Sequence, residues 1–197
     1  MKYYQTALIL GYGRSGRAAE KLLKAEGCAT VVAAKETHSD TEFFQTLKMQ
    51  PFDVCIVSPG FGLCSPWMKA VQAAGIPLRP ELELGWSRHK GRTIALTGSN
   101  GKSTAVKWIC ESLIEGGKTA AIGGNYGIPA CEVVQENPDL EWLVLEVSSF
   151  QLETVQEFHA DVAVVLNLLP NHLDRHKTMA CYRQMKARIF GTTVPSG

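Results

Sequence analysis

Residues 93–104 read TIALTGSNGKST, and no other stretch limits the fold as much. Thr93, Ile94, Ala95 and Leu96 are β-branched or apolar and read as a strand. Gly98, Ser99, Asn100 and Gly101 can turn tightly, because glycine and asparagine tolerate positive φ. A helix follows, and its free N–H groups and dipole face the turn, which makes the segment an anion site. It departs from the Walker loop, which carries a glycine five residues before its Gly-Lys glycine; here that position is Leu96. Lys102 still brings a charge for β- and γ-phosphates, and Ser103 brings a hydroxyl for Mg²⁺. The plain alternative is a strand-to-helix turn with a surface lysine. Strand, glycine turn, Gly-Lys-Ser-Thr and helix standing in register argue against it.

The same alternation of strand and helix runs along the whole chain. TALILGYG reads as a strand entering a turn, and SGRAAEKLLKAEG as a helix ended by Gly27. ATVVAAK and DVCIVSPG are buried strands, and SPWMKAVQAAG is a helix with Pro66 in its first turn. PELELGWSRHKGR reads as a polar helical bridge. Beyond it come strand TIALTG, a helix over 102–115, strand KTAAIGG and a short helix after Pro129. Strands WLVLEVS and DVAVVLNLL follow, then a helix over MACYRQMKARIF, with Cys181, Met185 and Ile189 as its core face. The expected fold is therefore α/β: two consecutive parallel-sheet units, Rossmann-like over 1–90 and P-loop NTPase-like over 91–197.

Composition removes several classes of function. Hydrophobic residues at 45% and charged residues at 20% suit a globular protein, and a net charge of +1 gives no reason to expect a nucleic-acid partner. The apolar run ALIL is too short for a signal-peptide core or a membrane span. Six cysteines without a C-x-x-C pair read as free thiols of a reducing cytoplasm. GYGRSG (Gly11, Gly13, Gly16) fits a dinucleotide loop, but the second strand ends at Ala34 and Lys35 where a ribose-binding carboxylate should stand. Glu36 falls past that strand end.

Four stretches resemble the Mur ligase family and its folate-glutamating relatives: TGSNGKST, GGNYGIPA, LVLEVSSFQLE, and LNLLPNHLDRH followed by YRQMKARIF. SSFQLE is similar to the member that adds D-glutamate. The resemblance implies ATP-dependent amide formation in cytoplasmic peptidoglycan precursor synthesis, with UDP-N-acetylmuramoyl-L-alanine and D-glutamate as substrates, by a monomer needing ATP and Mg²⁺. It implies that Gly98, Ser99, Asn100, Gly101, Lys102, Ser103 and Thr104 bind ATP. By the same likeness Gly13, Arg14, Ser15, Ser58, Gly60, Asn125, Ser148, Ser149 and Gln151 bind the UDP substrate. Taken alone, Asn125, Ser148, Ser149 and Gln151 read equally as turn residues. The implied metal set is Ser103, Glu146, His172 and Lys186, the last as a carbamate; Lys102, Glu146, His172 and Lys186 are the implied catalytic group. Independently of the resemblance, Glu146 ends an apolar strand where parallel sheets deliver side chains to a crevice. His172, Asp174 and His176 match no zinc spacing.

Two departures weaken the likeness locally. Asn171 replaces the aspartate before the motif histidine, and Lys35 and Glu36 replace the polar pair expected at the uracil. The resemblance also implies later central strands and a C-terminal domain beyond Gly197, so the chain reads as part of a longer enzyme and is expected to be inactive alone. A kinase-like P-loop protein and a non-catalytic UDP-sugar-binding fragment remain as alternatives.

Overall fold

A computed structural model describes residues 3–191. Two four-stranded sheets carry it, each parallel throughout. The first has strand order β2-β1-β3-β4, from β1 (Thr6–Leu10), β2 (Ala29–Ala33), β3 (Val54–Val57) and β4 (Leu78–Pro80). The second has order β6-β7-β5-β8, from β5 (Arg92–Thr97), β6 (Ala120–Gly124), β7 (Trp142–Glu146) and β8 (Val162–Val165). Helices α1 (Arg14–Ala25), α2 (Asp40–Met49) and α3 (Pro66–Ala73) cross back over the first sheet. Helices α5 (Lys102–Glu115) and α6 (Ala130–Glu136) do so in the second. Short α7 (Ser149–Leu152) and α8 (Leu173–His176) and then α9 (Met179–Ala187) follow β7 and β8.

Strands β1 and β5 each lie between two parallel neighbours, and where connections leave such strands to opposite sides a crevice opens at their carboxyl ends. The chain enters α1 through a tight loop. Gly11 takes φ +92°, and a Cβ on Gly16 would strike the Gly11 carbonyl oxygen, so the loop and the helix start are packed backbone to backbone. Helix α2 opens with a capping box between Ser39 and Glu42, and Ser65 caps α3.

The segment read from sequence as a polar helical bridge is helical only in its first part, and that part is buried, while residues 90–92 are exposed. After β4 it forms α4 (Glu81–Trp86), in which Glu81, Leu82, Glu83, Leu84 and Gly85 are all buried. Its carboxylates tolerate burial because they have donors. Glu81 Oε1 accepts from Cys131 N at 2.6 Å, and Glu83 accepts from Arg79 at 2.5 Å and from the Gln156 and Glu157 amides at 2.7 and 2.9 Å. Burial still pushes the Glu81 carboxyl up to about 7, and its Oε2 is buried without a hydrogen-bond partner. Leu84 and Cys131 share a core with Leu22, Leu23, Val54 and Ile56, so the two units meet in one apolar cluster.

The inward face of α9 also differs from the sequence reading. Tyr182, Lys186 and Ile189 are buried, whereas Cys181 is exposed and Met185 half-buried. The helix turns a lysine inward because the sheet edge offers it oxygen partners, a choice that hydrophobic periodicity cannot register.

Gly85 is where α4 touches α6 most closely. A Cβ there would lie 2.5 Å from both Ala130 C and Cys131 N. Gly85→Ala is expected to cost about 1–3 kcal/mol of stability through overpacking, measured by urea denaturation. An unchanged midpoint would show that the two helices part freely.

Candidate functional site

The phosphate loop leaves β5 at Thr97 and enters α5 at Lys102, with Gly101 as N-cap at φ 81°. No side chain caps this helix. The opening amides of α5 are thus left for a ligand, the arrangement an anion needs. Asn167, just after β8, braces the loop from the side. Its Oδ1 accepts from the Ser99 and Asn100 amides, both at 3.0 Å, and its Nδ2 donates to Asn100 O at 3.0 Å. Ser99 is buried and holds the loop from behind: its hydroxyl donates to Leu169 O and accepts from Leu169 N, both at 2.9 Å, and lies 3.1 Å from Tyr182 Oη. Sequence reasoning gave Asn167 no role, although it is the first residue of NLLPNHLDRH. Its position in that motif was the available signal.

Glu146, at the end of β7, is buried between two partners. Its Oε2 accepts from Ser103 Oγ and its Oε1 from Asn125 Nδ2, each at 2.7 Å. Three residues picked from separate stretches of sequence therefore meet at one carboxylate. Two lysines lie close by. Lys102 Nζ donates to Gly98 O at 2.9 Å and Ser99 O at 3.2 Å; Lys186 Nζ donates to Thr97 Oγ1 at 2.9 Å and to the same Gly98 O at 3.0 Å. Lys186 is held down to about 8, first by burial and then by the Lys102 charge, with Glu146 acting in the opposite sense.

His172 is not joined to that cluster by any described contact. It is exposed in the left-handed region (φ 54°), with its ring 4.8 Å from that of Phe150. The buried histidine of the motif is His176, whose Nε2 lies 2.9 Å from Ser149 Oγ and whose charged form burial disfavours. Ser148 and Gln151 form the capping box that starts α7, and Ser149 and Gln151 are buried. These three side chains are occupied in shaping the loop after β7.

An apolar-walled recess lies on the first unit, at the carboxyl ends of β1, β2 and β3. It measures about 660 Å³, and Gly13, Arg14, Ser15, Ser58 and Gly60 all line it. Tyr12 and Phe61 add aromatic walls, and Lys35 Nζ sits 5.3 Å above the Phe61 ring. Glu36 reaches the wall from the turn after β2, which ends at Ala33. Asn125, Ser148, Ser149 and Gln151 belong to the second unit and do not line this recess.

Residues 96–197 match the model of the Mur ligase middle domain. The chain belongs to the Mur ligase family. This Mur ligase chain is 36% identical over 201 residues to the UDP-N-acetylmuramoylalanine--D-glutamate ligase of Koribacter versatilis (strain Ellin345), covering 93% of the chain and 44% of that protein. The ligase of the same name from Pelotomaculum thermopropionicum is 38% identical, over 95% of the chain and 45% of that protein. The chain thus spans less than half the length of these curated relatives. The fold also resembles the crystal structure of UDP-N-acetylmuramate:L-alanyl-gamma-D-glutamyl-meso-diaminopimelate ligase from Neisseria meningitides. That likeness has a TM-score of 0.58 at 16% identity, over 98% of this chain and 69% of the other. A murein peptide ligase from Psychrobacter arcticus 273-4 gives a TM-score of 0.51 at 14% identity, over 94% of this chain and 47% of the other. Among the described residues no helix is long and apolar enough to cross a membrane.

The lowered Lys186 makes a pH prediction with a definite sign. Between about 8 and the ordinary lysine value of 10.5, the unfolded chain binds a proton that the folded chain does not. Stability therefore rises with pH across that window and is level, for this group, below it. In metal-free buffer, the stability of wild type relative to Lys186→Met should climb as pH rises through the window. Urea denaturation at several pH values measures it, and a difference independent of pH would show that Lys186 titrates normally.

Proposed function

We propose that this chain carries the UDP-substrate site and the phosphate site of an ATP-dependent ligase that joins D-glutamate to UDP-N-acetylmuramoyl-L-alanine in the cytoplasm, as a monomer. The observation that carries the reading is the Ser103–Glu146–Asn125 cluster beside the uncapped N-terminus of α5, with Lys102 and Lys186 close by. Relatives 36–38% identical bear the name of that ligase, which favours D-glutamate as the amine.

The donor set fits Mg²⁺. Among the described residues no group of three or more histidine, cysteine or acidic side chains forms a metal cage of its own. One carboxylate and one hydroxyl beside a phosphate site is the arrangement Mg²⁺ favours, since it takes most of its oxygens from water and phosphate. Ser103 Oγ and Glu146 would hold the ion, and Asn125 fixes the Glu146 carboxylate. When bound, the ion neutralises charge between the phosphates. His172 and a carbamate on Lys186 are proposed for a second Mg²⁺, His172 on the motif alone.

The α5 amides and Lys102 bind the phosphates of ATP and offset the charge that builds on the transferred phosphoryl group. The alanine carboxylate of the UDP-sugar attacks the γ-phosphorus, releasing ADP and leaving an acyl phosphate. The D-glutamate amine then attacks the acyl carbon, phosphate departs, and an amide remains. The recess on the first unit takes the uridine diphosphate end, with Arg14 and Ser15 at the start of α1 facing the anion.

Two experiments test this reading. Calorimetric titration of residues 1–197 should give saturable heat with uridine diphosphate and tighter binding than NAD; NAD saturation with no uridine diphosphate heat would overturn the assignment. The second concerns Lys186. A lysine with its pKa near 8 presents enough neutral amine to capture CO₂, forming an N–C bond and releasing a proton. In an active full-length enzyme, Lys186→Ala should abolish ligation, and short carboxylic acids should restore part of it. Activity near wild type without added acid would remove the carbamate from the mechanism.

A further inference from the structure

One side chain ties the wall of the uridine recess to the second unit. Arg175 sits on α8, a helix of four residues flanked by His172 and Lys177, both at positive φ (54° and 66°). Its guanidinium grips Glu153 with two donors, Nε to Oε1 at 2.9 Å and Nη2 to Oε2 at 2.6 Å. The remaining reach goes to the first unit: Nη1 donates to Pro59 O at 2.7 Å and Nη2 to Phe61 O at 2.9 Å. The charged plane also lies 4.2 Å from the Phe150 ring centre. Pro59 and Phe61 belong to the loop between β3 and α3 that lines the recess along with Ser58 and Gly60.

The anchor itself is fixed. Glu153 is buried, and the neighbouring His176 is buried against Ser149. Only a planar fork with five donors can serve one carboxylate and two carbonyls at once; a lysine ammonium in the same place is a point charge on a flexible stem. The loop's carbonyls thus depend on a residue 116 and 114 positions away in the chain.

We infer that Arg175 is a positioning residue: it clamps the wall Ser58–Phe61 to the second unit and thereby sets the affinity of the recess for a nucleoside diphosphate. The inference rests on the proposed reading of the recess as the uridine diphosphate site. Arg175 touches no reacting atom in this account, and its effect is confined to the wall.

The test uses the full 197-residue chain with Arg175→Ala, Arg175→Lys and Glu153→Gln. Amide hydrogen exchange over residues 58–65 reports the loop, and calorimetry with uridine diphosphate and, separately, Mg²⁺-ATP reports the two sites. In Arg175→Ala, exchange in the loop should quicken and uridine diphosphate affinity should fall by about tenfold or more, the equivalent of one charge-assisted hydrogen bond. Arg175→Lys should show most of the same loss, and ATP affinity should hold. If Arg175→Ala fails to fold, the two conservative variants carry the comparison. Loop exchange and uridine diphosphate affinity both at wild-type values would overturn the clamp, as would an equal fall in affinity for both nucleotides. A wild-type chain that gives no heat with uridine diphosphate would overturn the reading of the recess instead, and loop exchange would then decide the clamp alone.

Discussion

Two ammonium groups converge on one carbonyl oxygen, that of Gly98, and much of the second unit is arranged around that meeting. Lys102 approaches from the first turn of α5 and Lys186 from the buried face of α9. Like charges this close in a partly desolvated place repel, which is one cause of the low Lys186 value. Burial is the larger cause, and the Glu146 carboxylate acts in the opposite sense. Asn167 and Tyr182 reach the loop from two other elements, through hydrogen bonds to Ser99 and Asn100.

The parallel sheets explain why these residues can gather at all. Every strand ends at the same edge as its neighbours, so the loops after β5, β6, β7 and β8 share one rim. Ser103, Asn125 and Glu146 come from three different loops or strand ends and need no long reach to meet, and Asn167 reaches the Ser99–Asn100 turn from a fourth. The first sheet repeats the logic with β1, β2 and β3 around the recess of the first unit. Between the two rims, α4 and α6 bury a mixed apolar and acidic seam, and α8 adds the Arg175 grip. Buried carboxylates such as Glu81 and Glu83 are costly to desolvate, and the donors at Cys131, Arg79, Gln156 and Glu157 offset that cost.

Much of the architecture was legible before any coordinates. Strands with β-branched, apolar runs and helices bounded by glycine or proline marked β1, β2, β3 and β5 to β8, and α5 was read at both ends. Helix α2 escaped notice although Ser39 and Glu42 spell a capping box, because its apolar pattern is weak. Helix α4 was found but read as a polar bridge, since its glutamates look polar and the chain does not announce which carboxylates will find donors. The motif residues of the second unit were also legible, and Glu146, Ser103 and Asn125 meet. Ser148, Ser149 and Gln151 shape the loop after β7.

What the sequence by itself determined is the local chemistry: a glycine turn feeding a helix, an ammonium beside it, a carboxylate at a strand end, and membership of a family through those short runs. Each depends on neighbours a few residues apart, where backbone sterics and helix geometry are enough. Only the tertiary structure decided which lysine turns inward, that Asn167 holds the phosphate loop, and that Arg175 joins the two units. Those outcomes depend on donors and acceptors some 67 to 116 positions apart. Satisfying a buried polar group is a property of the packed chain, because its partner exists only once the sheets have brought the strand ends to one edge.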